Sequence, residues 1–291
     1  MSSALARPRA LAALALTLVL APLVAGATGD LDEVDHKVKP ADGNLWSSRY
    51  GHGRMIDGHC PPRRRCVAFT FDDGPSWETT PRLLDELDRR GLPATFFVTG
   101  HRLDGRGEVA RRNREVLQRT WARGYLVGNH TYNHDLLDTM NEAQLRFELD
   151  RTSALIEEAL GTRVWLFRAP FGALHHPTAV RAVFSRGYTP VFWGMDSNDW
   201  RVNTPEGVLA NVRAELERSP RGGVLLMHDT LPWSVAAFPL IVDELERRSA
   251  ELVARGEQPY QVVSMEAFWQ PLRTAPAPSR PPRPRRPRRR G

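Results

Sequence analysis

Cysteine is scarce in this sequence, and long hydrophobic runs are equally rare. Only Cys60 and Cys66 occur among 291 residues, too few to build a metal site from cysteine ligands alone. In an exported protein a disulfide between them is expected, and two free thiols near the start of a strand are the alternative. Beyond residue 25 no stretch resembles a transmembrane helix.

The one long apolar run lies near the N-terminus. Arg7 and Arg9 precede apolar residues 11–25, and Ala25-Gly26-Ala27 offers a small-residue cleavage site. This pattern predicts a signal peptide over residues 1–27. An uncleaved anchor is the alternative, but about 15 residues is short for a bilayer span. We therefore expect a secreted, periplasmic or cell-envelope protein with no stable membrane insertion after cleavage.

The positive net charge of the chain comes from its C-terminal end. Residues 271–291 contain eight Arg, seven Pro and no acid, so their charge exceeds the total of +6 and leaves −2 on residues 1–270. A basic catalytic domain built to bind nucleic acid is therefore not supported. The tail is expected to be disordered or extended, serving as solvated filler or contacting an anionic envelope polymer.

Short β-type runs alternate with helical stretches from residue 66 to residue 270, after an irregular N-terminal extension over residues 28–65. The strand candidates are 67–71, 94–99, 125–128, 164–167, 189–195, 223–227 and 261–264. The helix candidates are 79–90, 107–123, 141–160, 176–186, 204–218 and 234–255. This alternation predicts an α/β domain with a parallel sheet, either open or closed into a barrel.

Polar residues follow five of the predicted strands at the point where each strand ends. They are Asp72-Asp73, Asn129-His130 with His134, Arg168, Asp196 with Asp199, and His228-Asp229. The carboxyl ends of parallel strands meet on one face, where active sites of such folds form. The spacing of four between His130 and His134 suits two imidazoles on one helical face or turn, as metal chelation requires.

Five stretches in order resemble the motifs of the polysaccharide deacetylases, the NodB-homology or family 4 carbohydrate esterases. They are Thr70-Phe71-Asp72-Asp73-Gly74-Pro75, His130-Thr131-Tyr132-Asn133-His134, Arg168-Ala169-Pro170-Phe171-Gly172, Asp196-Ser197-Asn198-Asp199-Trp200 and Leu226-Met227-His228-Asp229. The resemblance implies a distorted (β/α) barrel over residues 66–270. It also implies a divalent metal, zinc first and cobalt or another first-row ion second, and hydrolysis of acetyl groups on sugars.

The resemblance further implies a metal site and a base. Asp73, His130 and His134 would hold the ion, with positions left open for water and the acetyl oxygen. Asp72 would be the general base, and Arg168 would orient it.

The remaining motifs imply an acid and contacts to the acetyl group. His228 would be the general acid, with Asp199 as the carboxylate that raises its pKa. A backbone N–H near Phe171 would stabilise the oxyanion. Trp200 with Leu226 would form an apolar wall for the acetyl methyl, and core packing is the alternative for Trp200.

Four further residues have less specific interpretations. Asp196 is expected to support the structure of the site. His101, His175 and His176 are expected at the surface or lining the groove, with a direct substrate role as the alternative.

Several substrates and functions remain open. Peptidoglycan is the first choice because an exported, bacterial-type protein meets that polymer directly, and chitin or its oligomers are second. The alternatives are an O-acetyl esterase acting on xylan and a non-catalytic carbohydrate-binding envelope protein. The presence of the base, the acid and all three ligands argues against the non-catalytic alternative.

Overall fold

The computed structural model describes residues 55–268. The predicted signal peptide, residues 28–54 of the predicted extension and the predicted tail lie outside the described residues. None of the helices formed between residues 55 and 268 is both long and apolar enough to span a bilayer.

Within residues 55–268, eight strands form one sheet, and every pairing between them is parallel. They are β1 (Cys66–Gly74), β2 (Ala94–Val98), β3 (Leu126–Asn129), β4 (Leu166–Phe167), β5 (Thr189–Pro190), β6 (Met195–Asp196), β7 (Gly222–His228) and β8 (Gln261–Val262). The order along the sheet is β5-β4-β3-β2-β1-β7-β6, and β8 pairs with the start of β1. The predicted parallel α/β architecture is confirmed.

The short connection between β5 and β6 requires the sheet to curl. These strands lie at opposite ends of the sheet, yet only residues 191–194 separate them in the chain. Six inter-strand spacings in a flat sheet would place them about 29 Å apart. Five residue steps reach at most about 18 Å. The sheet therefore curls into a half-barrel, in agreement with the distorted (β/α) barrel that the resemblance implies.

The prediction of one continuous strand over residues 189–195 was wrong, because this segment contributes to two separate strands, β5 and β6. Hydrogen bonding to β4 continues to Val191, whose N–H donates to the Phe167 carbonyl at 2.8 Å. The following residues bond elsewhere: Phe192 N–H donates to the Ile56 carbonyl at 2.8 Å, and Gly194 N–H donates to the Val224 carbonyl at 3.1 Å. The chain thus leaves one end of the sheet and joins the other.

Helices cover the outside of the sheet at all six predicted places. They are α1 (Thr80–Arg90), α2 (Glu108–Ala122), α3 (Glu142–Arg146), α4 (Thr152–Leu160), α5 (Pro177–Phe184), α6 (Pro205–Arg218) and α7 (Pro232–Ala254). Short 3₁₀ turns occur at Gly100–Arg102, Leu137–Thr139, Pro170–Gly172 and Met265–Phe268. The predicted helix over 141–160 is divided, because a π-helical turn, Phe147–Arg151, separates α3 from α4.

The segment before β1 is tied to the sheet. Ile56 bridges to Val191 in parallel, and His59 bridges to Gly223 in antiparallel fashion. Cys60 and Cys66 form a disulfide, with their Cα atoms 5.9 Å apart. The expected disulfide is therefore present, and it joins this segment to the first residue of β1.

Alternation along β1 explains how the sheet carries polar groups inward. Phe69 and Phe71 pack on α7 through Phe238, with ring centroids 4.9 and 5.8 Å apart. The intervening residues Thr70 and Asp72 point to the opposite face, because successive strand residues alternate sides. This inner face becomes polar toward the carboxyl ends of the strands, called the rim below.

Candidate metal and hydrolase site

Three predicted ligands meet at the rim. One donor atom from each of Asp73, His130 and His134 lies within 4.8 Å of the others, a grouping that could hold a metal ion. Asp73 Oδ1 is 3.5 Å from Nε2 of His130 and 3.5 Å from Nε2 of His134. Asp73 comes from β1, and the histidines come from the segment that follows β3.

The chemistry of these donors fits a divalent metal. His130 Nδ1 lies 2.8 Å from the Arg168 carbonyl and donates to it, which leaves the Nε2 lone pair toward Asp73. Asp73 Oδ1 is buried and has no hydrogen-bond partner among residues 55–268. A buried carboxylate oxygen without a donor is costly unless a cation satisfies it.

The pKa shifts of two ligands favour the forms that bind metal. Burial raises the pKa of Asp73, but the imidazoles of His130, His134 and His228 and the Arg102 guanidinium outweigh it, so the pKa lies below its usual value. Burial, followed by the charge of His130, lowers the pKa of His134 despite Asp73. At neutral pH the carboxyl is therefore ionised and this imidazole is neutral.

Two of the predicted ligands and one residue between them have an unusual backbone conformation. Asp73, Thr131 and His134 have φ values of 71°, 67° and 64°, in the left-handed region that non-glycine residues rarely adopt. Residues 130–134 form a bend and not a helix, so of the two predicted geometries the turn is correct. Such backbone persists only where surrounding contacts fix it, and it is common at functional sites.

A buried ion pair adjoins the predicted metal ligands. The Arg168 side chain is 0% exposed, and its Nη1 donates to Asp72 Oδ1 and to Thr70 Oγ1, both at 2.8 Å. Its Nε donates to the Val191 carbonyl at 3.1 Å, and its guanidinium lies over the Phe97 ring at 4.3 Å. The second oxygen of Asp72 is consequently directed to the site, 3.6 Å from Nε2 of His130.

A second pair lies on the opposite side of Asp73. Asp199 Oδ1 accepts from His228 Nδ1 at 2.7 Å, and Oδ2 accepts from the His228 backbone N–H at 2.7 Å and from Ser234 Oγ at 2.5 Å. His228 Nε2 is 3.9 Å from Asp73 Oδ2. Burial lowers the pKa of His228, but the hydrogen bond and charge of Asp199, with the charges of Asp72 and Asp73, raise it to about 9.

The three residues predicted to contact the acetyl group differ in exposure. Phe171 is 66% exposed, has a φ of 60°, and its ring lies 4.8 Å from that of His134. Trp200 is 53% exposed with the Arg201 guanidinium 4.3 Å above its ring, which excludes the core-packing alternative. Leu226 is buried in β7, in register with Thr70 of β1.

The less specific histidines are all exposed. The ring of His101 hydrogen-bonds the Tyr132 carbonyl at 2.8 Å. At the start of α5, the backbone N–H groups of His175 and His176 donate to the side chain of Asp138. Their interactions are thus with the scaffold.

Asp196 lies beside the Asp199–His228 pair and supports the loop that carries Asp199. Its Oδ1 accepts from the Asn198 N–H at 2.8 Å, and burial raises its pKa.

Sequence reasoning assigned no role to Thr70 and Asp229. Thr70 Oγ1 accepts from Arg168 and donates to the Leu225 carbonyl at 2.7 Å. Asp229 is 1% exposed, accepts from Thr80 Oγ1 at 2.5 Å, and burial raises its pKa to about 7. The place of Asp229 directly after His228 was visible in the sequence, but nothing there distinguished it from a helix cap.

A parallel sheet whose rim carries an Asp-His-His donor set between an Asp–Arg pair and an Asp–His pair has the features of a metal-assisted hydrolase. A family model described as polysaccharide deacetylase matches residues 59–191. A peptidoglycan-N-acetylglucosamine deacetylase of Bacillus cereus is 31% identical over 212 residues, covering 72% of each chain. The chain belongs to the polysaccharide deacetylase family, and it is a hydrolase of that class.

Other relatives agree with this assignment. Chitin deacetylase 1 of Cryptococcus neoformans var. grubii is 30% identical over 217 residues, which cover 67% of this chain and 43% of that protein. The chain therefore spans under half the length of that relative. The crystal structure of the Bc1960 peptidoglycan N-acetylglucosamine deacetylase matches with a TM-score of 0.61 and 26% identity, covering 78% of this chain and 97% of that one.

Replacing Asp199 should change the titration of His228 in the metal-free protein. In Asp199→Asn a neutral amide replaces the carboxylate that raises the pKa, so the pKa should fall from about 9 by at least ~1 unit. The measurement is an NMR titration of the His228 ring with a chelator present. Ser234→Ala keeps the carboxylate and should titrate close to the wild type. An unchanged His228 pKa in Asp199→Asn would show that this pair does not set it.

Proposed function

We propose that this protein is a metal-dependent hydrolase that removes N-acetyl groups from polymers of N-acetylhexosamine. The observation that carries the proposal is the arrangement around Asp73. Its Oδ1 faces two imidazole nitrogens at 3.5 Å, and its Oδ2 lies 3.9 Å from His228 Nε2. A ligand set, a base and an acid therefore adjoin one small volume, as hydrolysis of an acetamide requires.

Asp73, His130 and His134 would hold the ion. One carboxylate and two imidazoles are typical of catalytic zinc sites, so zinc is our first choice, with cobalt or another first-row ion as the alternative. A divalent ion here would polarise the acetyl carbonyl and lower the pKa of bound water from 15.7 toward about 7.

Asp72 is proposed as the general base that takes the proton of the attacking water. Arg168 holds one carboxylate oxygen at 2.8 Å. The other oxygen lies 3.6 Å from a proposed ligand, His130. The base is thus fixed in orientation before substrate binds, which reduces the reorganisation needed during proton transfer.

His228 is proposed as the general acid that protonates the departing amine nitrogen. Its Nδ1 is fixed by Asp199, so Nε2 is the atom that faces the reaction volume. The raised pKa of His228 keeps this proton in place at neutral pH until the C–N bond breaks.

The acetyl group is proposed to rest between Phe171 and an apolar wall. A backbone N–H near Phe171 would donate to the oxyanion, and one such donor contributes roughly 3 kcal/mol. The exposed Trp200 ring with Leu226 would contact the acetyl methyl.

Peptidoglycan is the proposed polymer, and chitin or its oligomers are second. Both substrate classes appear in the names of the relatives described above. The same residues could cleave a sugar O-acetyl ester, since an ester is an easier substrate than an amide, so acetylated xylan is kept as an outcome of the test.

Export is part of the proposal. The predicted signal peptide over residues 1–27 would deliver the catalytic domain to the cell envelope, where peptidoglycan is found. The eight Arg of residues 271–291 would contact anionic polymers there.

Substitutions should distinguish the proposed proton-transfer groups from the proposed metal ligands. Asp72→Asn and His228→Ala should each lower kcat by about 10²–10⁴-fold with metal content near that of the wild type. His130→Ala should lose metal first, with affinity reduced by more than the ~10–100-fold typical of outer-shell changes. Metal analysis after dialysis, paired with kcat, makes the distinction.

The matched control for these substitutions is Asp196→Asn, a carboxylate on the same rim whose hydrogen bond from Asn198 an amide can also accept. It should keep most of kcat. Loss of metal from Asp72→Asn or His228→Ala would contradict the division between proton-transfer groups and ligands.

The substrate is tested by acetate release from peptidoglycan, chitin oligomers and acetylxylan, with and without chelator. We expect release from peptidoglycan, its loss on metal removal, and its recovery on adding Zn²⁺. Asp72→Asn serves as the inactive control on every polymer. Activity that survives complete metal removal would overturn the mechanism, and release from acetylxylan alone would favour the esterase.

A further inference from the structure

The two proposed histidine ligands are joined by a short loop, residues 131–133, called the ligand loop below. Its conformation decides whether His134 can reach Asp73. Thr131, the first residue of the loop, and His134, directly after it, have positive φ values, so the loop lies in a backbone conformation that surrounding contacts must stabilise.

Backbone hydrogen bonds fix one side of the ligand loop. The carbonyl of Thr131 accepts from Gly100 N–H at 2.9 Å, and the carbonyl of Tyr132 accepts from His101 N–H at 3.1 Å. Both donors belong to the 3₁₀ turn after β2. Main-chain hydrogen bonds therefore hold this side, and the His101 ring adds a further hydrogen bond to the Tyr132 carbonyl at 2.8 Å.

Thr131 N–H, at the start of the ligand loop, donates to Asn129 Oδ1 at 2.8 Å. The other two backbone N–H groups of the loop are held by the side chain of Glu148. Its Oε2 accepts from the backbone N–H groups of Tyr132 and Asn133, each at 2.8 Å, and its Oε1 accepts from Asn133 Nδ2 at 2.8 Å. Glu148 is 2% exposed. Among the described residues its carboxylate has no ion-pair partner, so its hydrogen bonds are directed at this loop.

Glu148 lies in the π-helical turn between α3 and α4. Its neighbours on the buried side of these helices are apolar, including Leu145 and Leu149. A carboxylate in such a stripe is costly unless hydrogen-bonded, because burial removes its water. π-turns often occur at functional sites, and this one delivers an acceptor to the ligand loop.

We propose that Glu148 is the positioning residue of the metal site: it holds the ligand loop in the conformation that brings His134 Nε2 within 3.5 Å of Asp73 Oδ1. The inference rests on the proposed function, since it assumes that these residues bind a metal. Glu148 touches neither metal nor substrate and acts through the loop. Its removal therefore changes metal affinity by displacing His134.

The test compares four variants with the wild type in full-chain, metal-free protein. Glu148→Ala removes all three acceptor contacts, and Glu148→Leu removes them while filling the volume. Glu148→Gln keeps an oxygen for both backbone N–H groups, and a rotated Asn133 amide restores the third bond. Glu244→Ala on α7 is the control, because Glu244 is 3% exposed and its carboxylate accepts from Arg213, Arg247 and Arg248, away from the ligand loop.

The readouts are the Zn²⁺ Kd from competition with a chelating indicator, the absorption spectrum of bound Co²⁺, and the Tm of the metal-free protein. Glu148→Ala and Glu148→Leu should bind Zn²⁺ about 10–100-fold more weakly, with an altered Co²⁺ spectrum. Glu148→Gln should stay within about 5-fold of the wild type, since the loop keeps its acceptors. Glu244→Ala should lower Tm and leave Kd and spectrum unchanged.

Wild-type affinity in Glu148→Ala or Glu148→Leu would overturn the inference, as would equal weakening in Glu244→Ala. If Glu148→Ala fails to fold, Glu148→Leu and Glu148→Gln decide the question alone. Equal losses in those two variants would also contradict it. His130→Ala is measured in parallel: if wild-type binding does not depend on His130, the proposed metal site itself fails, whereas His130-dependent binding that ignores Glu148 refutes this inference only.

Discussion

A buried carboxylate oxygen without a hydrogen-bond donor constrains the whole rim. Asp73 Oδ1 faces two imidazole nitrogens at 3.5 Å, and no N–H or O–H group of the described part of the chain donates to it. A bare carboxylate in this position is unfavourable, so the arrangement makes physical sense as part of a cation site. The positive φ values of Asp73 and His134 are the backbone cost of aiming both donors at one point.

Two side-chain pairs adjoin Asp73, and each holds one of the proposed proton-transfer groups. In the first pair, the Arg168 side chain orients Asp72, and the Arg168 carbonyl fixes the tautomer of the proposed ligand His130. Asp199 does the equivalent for His228 and raises the pKa of that imidazole. A cation therefore supports the proposed base, and an anion supports the proposed acid.

The sequence predicted the elements of the site well, because each polar group directly follows an apolar run that becomes a strand. The curl of the sheet was less accessible. The curl follows from the division of residues 189–195 into β5 and β6 and is accompanied by the bridge between Ile56, which precedes β1, and Val191. Neither the division nor the bridge leaves a periodic signal in the sequence.

Glu148 was missed for a different reason. A glutamate within a predicted helix has the same appearance whether it faces water or a buried loop. Only the π-turn and the three donors at 2.8 Å distinguish it. Trp200 shows the reverse case, since core packing and a role at the rim were equally compatible with its sequence position, and its 53% exposure decides between them.

The most direct test of the account is a crystal structure of the zinc-loaded protein with data collected on both sides of the zinc absorption edge. The account predicts one anomalous peak between Asp73 Oδ1 and the Nε2 atoms of His130 and His134, at ligand distances near 2.0–2.2 Å. It would be contradicted by a peak that lies elsewhere on the rim, or by ordered, metal-free side chains at this position in zinc-saturated crystals.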